Sequence, residues 1–155
     1  MMLYFTIIQS HLDYCSPVWS NATNSVLNKM RVLQKRALRI VLKCDNNIRS
    51  NELFQRLKVD PIDLRWKKTN VILLFKTMHV QDMPIYLSSR IQMKRNPYVL
   101  RNSDYQIYLP KPKTDFLKRS FIYASSKIFN SHPLETRQIC NIKIFLRKLS
   151  KDLTV

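Results

Sequence analysis

Apolar residues recur at Leu3, Ile7, Ile8, Leu12 and Cys15, which predicts a helix running towards Ser16-Pro17. A clearer helix is predicted over residues 25–43, with Thr23, Asn24 or Ser25 able to cap it. Val26, Leu27, Met30, Leu33, Ala37, Leu38 and Val41 keep i, i+3/i+4 steps along it. Lys29, Arg31, Lys35, Arg36, Arg39 and Lys43 fall on the other side, and Asp45-Asn46-Asn47 ends the run with residues that tolerate turn geometry. Ser50 can cap a short helix through Leu57. Asp60-Pro61-Ile62-Asp63 is a start signal, with an Asp cap and Pro at the first helical position. The helix it opens carries Leu64, Ile72, Phe75 and His79 at helical steps, broadened by Trp66 and Leu73.

From Met83 to Pro112 the period is lost. Pro84, Pro97, Pro110 and Pro112 prevent a long helix, and Lys111-Pro112-Lys113 reads as an extended basic loop. Residues 117–130 return to helical spacing through Leu117, Phe121, Ala124 and Ile128, stopping before Pro133. Asn141 caps a last helix with Ile142, Phe145, Leu149 and Leu153 inside and Lys143, Arg147, Lys148 and Lys151 outside. The expected fold is mostly α: five to six helices in a small bundle, with an irregular basic, Pro-containing segment around 83–116. It divides into residues 1–80, a connection over 81–117, and a C-terminal helical part over 118–155, expected to form one unit.

Composition sharpens this. The chain has 155 residues and no glycine, where an average chain of this length holds about 11. That excludes Gly-rich phosphate loops and Asn-Gly hairpins. The net charge of +17 attracts polyanions, nucleic acid first and anionic membrane surfaces second. It is unevenly laid out, since residues 1–24 hold no Lys or Arg and one acid, Asp13. Cys15, Cys44 and Cys140 show no C-x-x-C spacing, so reduced, buried thiols of a nuclear or cytoplasmic protein are expected rather than a zinc site or disulfides. No apolar stretch is long enough to span a membrane. Met1 to Ile8 lacks the basic n-region and cleavage site of a signal peptide, which argues against secretion, and looks like a cut edge within a hydrophobic helix.

Catalytic chemistry is not indicated. Metal-dependent phosphoryl transfer needs paired carboxylates, and the chain's ten acids include no Asp-Asp and no Asp-x-Asp. Asp60 and Asp63 flank a helix start, where capping accounts for them. His11 and Cys15 are four apart but have no further ligand near in sequence. His79 and His132 read as structural, and Ser, His and Asp form no local triad motif. No cofactor, metal or small-molecule substrate is expected. What remains is charge. Six cations and no acid across residues 25–43 repel one another unless a polyanion or acidic surface sits opposite. The predicted nucleic-acid contacts are Lys29, Arg31, Lys35, Arg36, Arg39 and Lys43, with a second cluster at Lys111, Lys113, Lys118 and Arg119. Tyr105 and Tyr108 can stack on bases, but core packing is the expectation. A basic amphipathic helix also suits acidic protein or anionic membrane surfaces.

Several strings, taken in order, resemble a known family. Ser10-His11-Leu12-Asp13-Tyr14-Cys15-Ser16-Pro17-Val18-Trp19 resembles the I-x-S-H-L-x-Y-C-x-x-V-W element that follows the polymerase palm in jockey-like, non-LTR retrotransposon reverse transcriptases. Leu33-Gln34-Lys35-Arg36-Ala37-Leu38-Arg39-Ile40 is similar to the family's L-Q-x-x-A-L-R-I-I helix. Glu52-Leu53-Phe54 with Leu57-Lys58-Val59, Leu74-Phe75-Lys76, Leu109-Pro110-Lys111-Pro112-Lys113-Thr114, Lys118-Arg119-Ser120-Phe121 and Asn130-Ser131 continue the likeness in register. The resemblance implies the thumb and post-palm region of an RNA-directed DNA polymerase, without the palm's metal-binding Asp-Asp and therefore without catalysis of its own. Its implied partners are a template–primer duplex, gripped by backbone contacts, and the missing palm. Ser20, Ser125 and Ser126 stand where the family often has Gly, Gly and Pro, Phe129 replaces Trp and His132 replaces Leu. At Ser20 and Ser125 a turn residue is expected to be lost.

Overall fold

Tyr4 to Gln9 forms a π-helix that continues as α1 (Ser10–Asp13). The computed structural model describes residues 1–44, 48–80, 83–94 and 105–152. The expected helix is present, but its inward face differs from the sequence pattern. Tyr4, Gln9 and Leu12 are buried while Leu3 and Ile7 are 73% and 55% exposed. The i→i+5 bonding of a π-helix holds more residues per turn than an α-helix, so the inward face follows 4, 8/9 and 12. Cys15, at φ 50°, ends the segment, and α2 (Ser16–Trp19) is a single turn with Pro17 near its start.

The basic helix forms as α3 (Asn24–Leu42), with Thr23 at its N-cap position. It is followed by α4 (Ser50–Leu57), in which Ser50 is the first helical residue and Arg49 the cap. Asp45-Asn46-Asn47, expected to end α3, lies outside the described residues. Lys43 at φ 50° and Lys58 at φ 51° close α3 and α4 instead. The main-chain N–H groups of Lys43 and Cys44 donate to Ile40 and Arg39, and those of Lys58 and Val59 donate to Gln55 and Phe54. Both are Schellman closures, for which glycine is the usual residue. Ser20 is right-handed at φ −62°, and Ser125 and Ser126 lie buried within a helix. Among the described residues, the strain of a glycine-free chain therefore falls at Cys15, Lys43, Lys58 and Tyr105, not at the serines.

α5 (Ile62–His79) buries Ile62, Trp66, Asn70, Val71, Leu74 and Phe75. Val71 and Leu74 replace Leu64, Leu73 and exposed His79 in the expected stripe. His79 instead stacks on Phe75, centroids 4.3 Å apart. By compactness the chain divides into Met1–Trp66 and Lys67–Val155, a boundary inside α5 rather than at residue 80. In the first unit, Tyr4, Ala37, Leu38 and Val59 form one buried cluster, and Leu12, Leu27, Ile62 and Trp66 another. Trp19 meets Trp66 edge-on with centroids 4.7 Å apart.

The second unit packs Val71, Leu74 and Phe75 of α5 against Ile107, Phe129, Phe145 and Leu149. Phe75 stacks on Phe145 at 4.2 Å. Its single-turn helices are α6 (Ile85–Ser88), α7 (Asp115–Lys118) and α9 (Leu134–Arg137); its longer ones are α8 (Phe121–Ser131) and α10 (Ile142–Asp152). The helix expected over 117–130 is thus broken at Arg119-Ser120, where the Ser120 hydroxyl accepts from the Tyr123 N–H and starts α8. Leu117 is left half exposed. Asn141 caps α10 as expected, its Oδ1 accepting from the Lys143 N–H at 2.9 Å. Leu153 lies outside the described residues, and the side chain of Lys151 is not described.

The fold is mostly α. Among the described residues, five α-helices reach eight residues or more, the N-terminal π/α segment makes a sixth, and no strand forms. Among its described residues the 83–116 region holds only α6, the start of α7 and an isolated antiparallel bridge between Met93 and Ile107. Among the described residues no helix is long and apolar enough to cross a membrane. Cys15 and Cys140 are exposed rather than buried, and all three cysteines are unpaired. Tyr105 and Tyr108, expected in the core, are 51% and 55% exposed; of the described residues beside them, Ile107 is the one that enters the second unit's core.

Candidate nucleic-acid interface

α3 owes its position to a buried polar contact on its inward face. Leu27, Gln34, Ala37 and Leu38 are its buried residues, with Met30 and Val41 partly covered. The Gln34 amide donates to the Tyr4 hydroxyl at 3.3 Å and to the Asp60 carbonyl at 3.2 Å. Its Oε1 accepts from the Ile62 N–H, an orphan donor at the start of α5, at 2.9 Å. The Tyr4 hydroxyl donates to Gln9 at 2.8 Å, and Gln9 donates to Asp13 at 2.9 Å. Arg65 closes the chain, donating to both Asp13 oxygens. Burial pushes the Tyr4 hydroxyl above its ordinary pKa. Sequence spacing alone does not reveal this network, since its members are polar residues at positions where the apolar count merely has gaps.

That anchoring sorts the six predicted cations of α3. Arg31 is turned to the fold: its Nε and Nη2 reach Asp63 at 2.7–3.0 Å, in a pair whose side chains are 28% and 41% exposed. The hydrogen bond to Asp63 raises the Arg31 pKa further. Asp63 thus serves as an ion-pair partner rather than merely a charge in the first turn. Lys35 and Arg39 are half-buried, whereas Lys29, Arg36 and Lys43 are exposed and have no carboxylate partner among the described residues. Lys29 and Arg36 lie seven residues apart on α3, about 10 Å along its axis, and Lys43 stands just past its C-terminal end. Val26, Leu33 and Ile40, of which the first two were expected inside, are 45%, 51% and 77% exposed. The outward face is therefore mixed, cationic and apolar. At its C-terminal end Arg36, Arg39, Ile40, Lys43 and Cys44 line a shallow hollow of about 380 Å³. The Arg39 Nε is buried without a hydrogen-bond partner among the described residues.

The second predicted cluster lies in the other unit. Lys111, Lys113, Lys118 and Arg119 are all exposed, the first two on the extended segment before α7 and the others at the end of α7. Lys118 pairs with Asp115 at 2.9 Å; this hydrogen bond lowers the Asp115 pKa and raises that of Lys118. Lys111 alone of the four lines a groove of about 430 Å³, together with Arg90 and Tyr123. Arg90 and Tyr123 were not singled out from the sequence, which gives no sign that residues 90, 111 and 123 converge.

His11 turns its Nδ1 to the Ile7 carbonyl, and among the described residues no three His, Cys, Asp or Glu side chains are grouped to hold a metal ion. His132 is buried, 3.3 Å from Asp152, which also accepts from the Thr136 hydroxyl at 2.9 Å. This ties α10 to the segment around α9. In comparisons with known protein families, characterised proteins and solved structures, none matches the chain.

Proposed function

We propose that the chain is the thumb and post-palm part of a non-LTR retrotransposon reverse transcriptase, acting by holding nucleic acid and not by catalysis. The observation that carries the binding half of this reading is the exposure of Lys29 and Arg36 on α3 and of Lys43 at its end, without carboxylate partners among the described residues. Long side chains spaced along one helix face suit the phosphates of a duplex, which contribute affinity without reading sequence. The ordered motifs support the family, and the exposed Met2, Leu3 and Ile7 of the N-terminal helix support a contact with the palm. The test is duplex binding by the full chain at several salt concentrations. RNA–DNA or DNA duplex should bind with little sequence preference, and log K should fall linearly with log salt. Absence of duplex binding at low salt refutes the reading.

The exposure of Leu33 and Ile40 between these cations favours a second reading, a basic helical module for acidic protein or anionic membrane surfaces. Sedimentation with phosphatidylserine vesicles separates the two. Strong vesicle binding without duplex binding selects the second.

A further inference from the structure

The groove of the second unit is built independently of α3. The Met93–Ile107 bridge lays residues 89–92 beside 108–112, with the Tyr108 N–H donating to the Gln92 carbonyl at 2.7 Å. Asn130 of α8 clamps Ile107 from the other side: its Oδ1 accepts from the Ile107 N–H at 2.9 Å and its Nδ2 donates to the Ile107 carbonyl at 2.8 Å. Pro110 and Pro112 follow, and having no N–H they leave the ladder and form a stiff wall. The opposite wall comes from α7 and the start of α8, fixed by the Thr114 and Ser120 caps.

The lining is two-sided in chemistry. Pro110, Pro112, Leu117 and Tyr123 supply apolar and aromatic surface, Arg90 and Lys111 supply positive charge, and among the described residues that line it none is acidic. A volume of about 430 Å³ lies within the range of small-ligand sites, roughly 300–1,000 Å³. Leu117, at the rim, is 49% exposed. A ligand complementary to such a groove has a flat body for the apolar walls and an anionic group for the two cations.

We propose that this groove binds one unpaired nucleotide of a single strand, its base against the Pro110, Leu117 and Tyr123 walls and its phosphate at Arg90 and Lys111. The nucleic-acid reading above guides only the choice of ligand; the site lies in the other unit and uses none of the α3 cations. Stacking on an aromatic side chain with phosphate contact alongside is tolerant of base identity, so little base preference is expected.

The test titrates the full chain with a 5′-phosphorylated tetranucleotide carrying 2-aminopurine, reading quenching of its fluorescence. Saturable quenching is expected. Tyr123→Ala, or the exposed Leu117→Glu where the first does not fold by circular dichroism, should weaken binding by roughly five-fold or more. Lys111→Gln should weaken it while leaving the quenching at saturation unchanged. The triple change Lys29→Gln, Arg36→Gln, Lys43→Gln should leave it unaffected while lowering duplex affinity. No quenching by the tetranucleotide, with duplex binding intact, overturns this inference and spares the proposed function. Displacement by inorganic pyrophosphate as effectively as by the tetranucleotide shows a phosphate site without a base pocket and also overturns it. Tighter competition by decanoate than by the oligonucleotide assigns the groove to lipid anions, with the same consequence.

Discussion

Arg31 and Arg36 are five residues apart on one helix and chemically identical, yet the structure gives them different work. Arg31→Gln removes the fork that Asp63 accepts. Because both side chains are partly exposed, the charge-assisted contact is screened, and its loss should cost about 1 kcal/mol of stability. That lowers the melting temperature by roughly 2–8 °C. Arg36 has no partner among the described residues, so Arg36→Gln should change stability by less than about 0.5 kcal/mol, half the loss at Arg31 or smaller, as surface changes do. Duplex binding should show the reverse. Each phosphate contact adds about 0.9 to the slope of log K against log salt, so losing one weakens binding roughly eight-fold at 0.1 M salt. Arg36→Gln should show that loss and Arg31→Gln should not. Thermal unfolding by circular dichroism and fluorescence anisotropy with a labelled duplex measure both quantities on the same samples. A drop in salt slope for Arg31→Gln equal to that for Arg36→Gln, with no loss of stability, would refute the division of the two residues.

Gln34→Leu roughly keeps the volume but removes the hydrogen bonds to the Ile62 N–H and the Asp60 carbonyl; urea unfolding should show a loss of about 2–3 kcal/mol, and an unchanged midpoint would contradict the network. Lys58→Gly relieves a left-handed residue at φ 51°. The gain, about 0.5–1 kcal/mol net of the greater freedom of unfolded glycine, should appear as a higher melting temperature. Tyr4 has a folded pKa raised above 10.0 by burial. Above that pH the unfolded state releases its proton first, so the Tyr4 contribution is complete below about pH 10 and is lost as pH rises through the folded value. Tyr4→Phe should be less stable at neutral pH but should lose less stability between pH 9 and 11, as followed by urea midpoints.

The helices were legible in the chain because local rules write them. Period and the Asn141 cap act within a few residues, and the charge map needs only counting; the expected Asp60-Pro61 start is off by one, since α5 begins at Ile62, and Thr23 holds its N-cap position without a side-chain bond. The two helix ends at Lys43 and Lys58 were not legible, since no glycine marks them and the Schellman bonds form only once the following residue has a place to pack. Nor was the inward face of α3. Val26 and Leu33 fit its apolar stripe as well as Leu27 does, and only Tyr4, Asp60 and Ile62, brought in from distant segments, turn Gln34 inward and leave Leu33 outside. By itself the sequence determined that this protein is helical and that its surface is positive. Which cations answer to the fold and which stand free, and that Arg90, Lys111 and Tyr123 share one groove, were decided by tertiary contacts. Local spacing carries no information about partners 30 residues away.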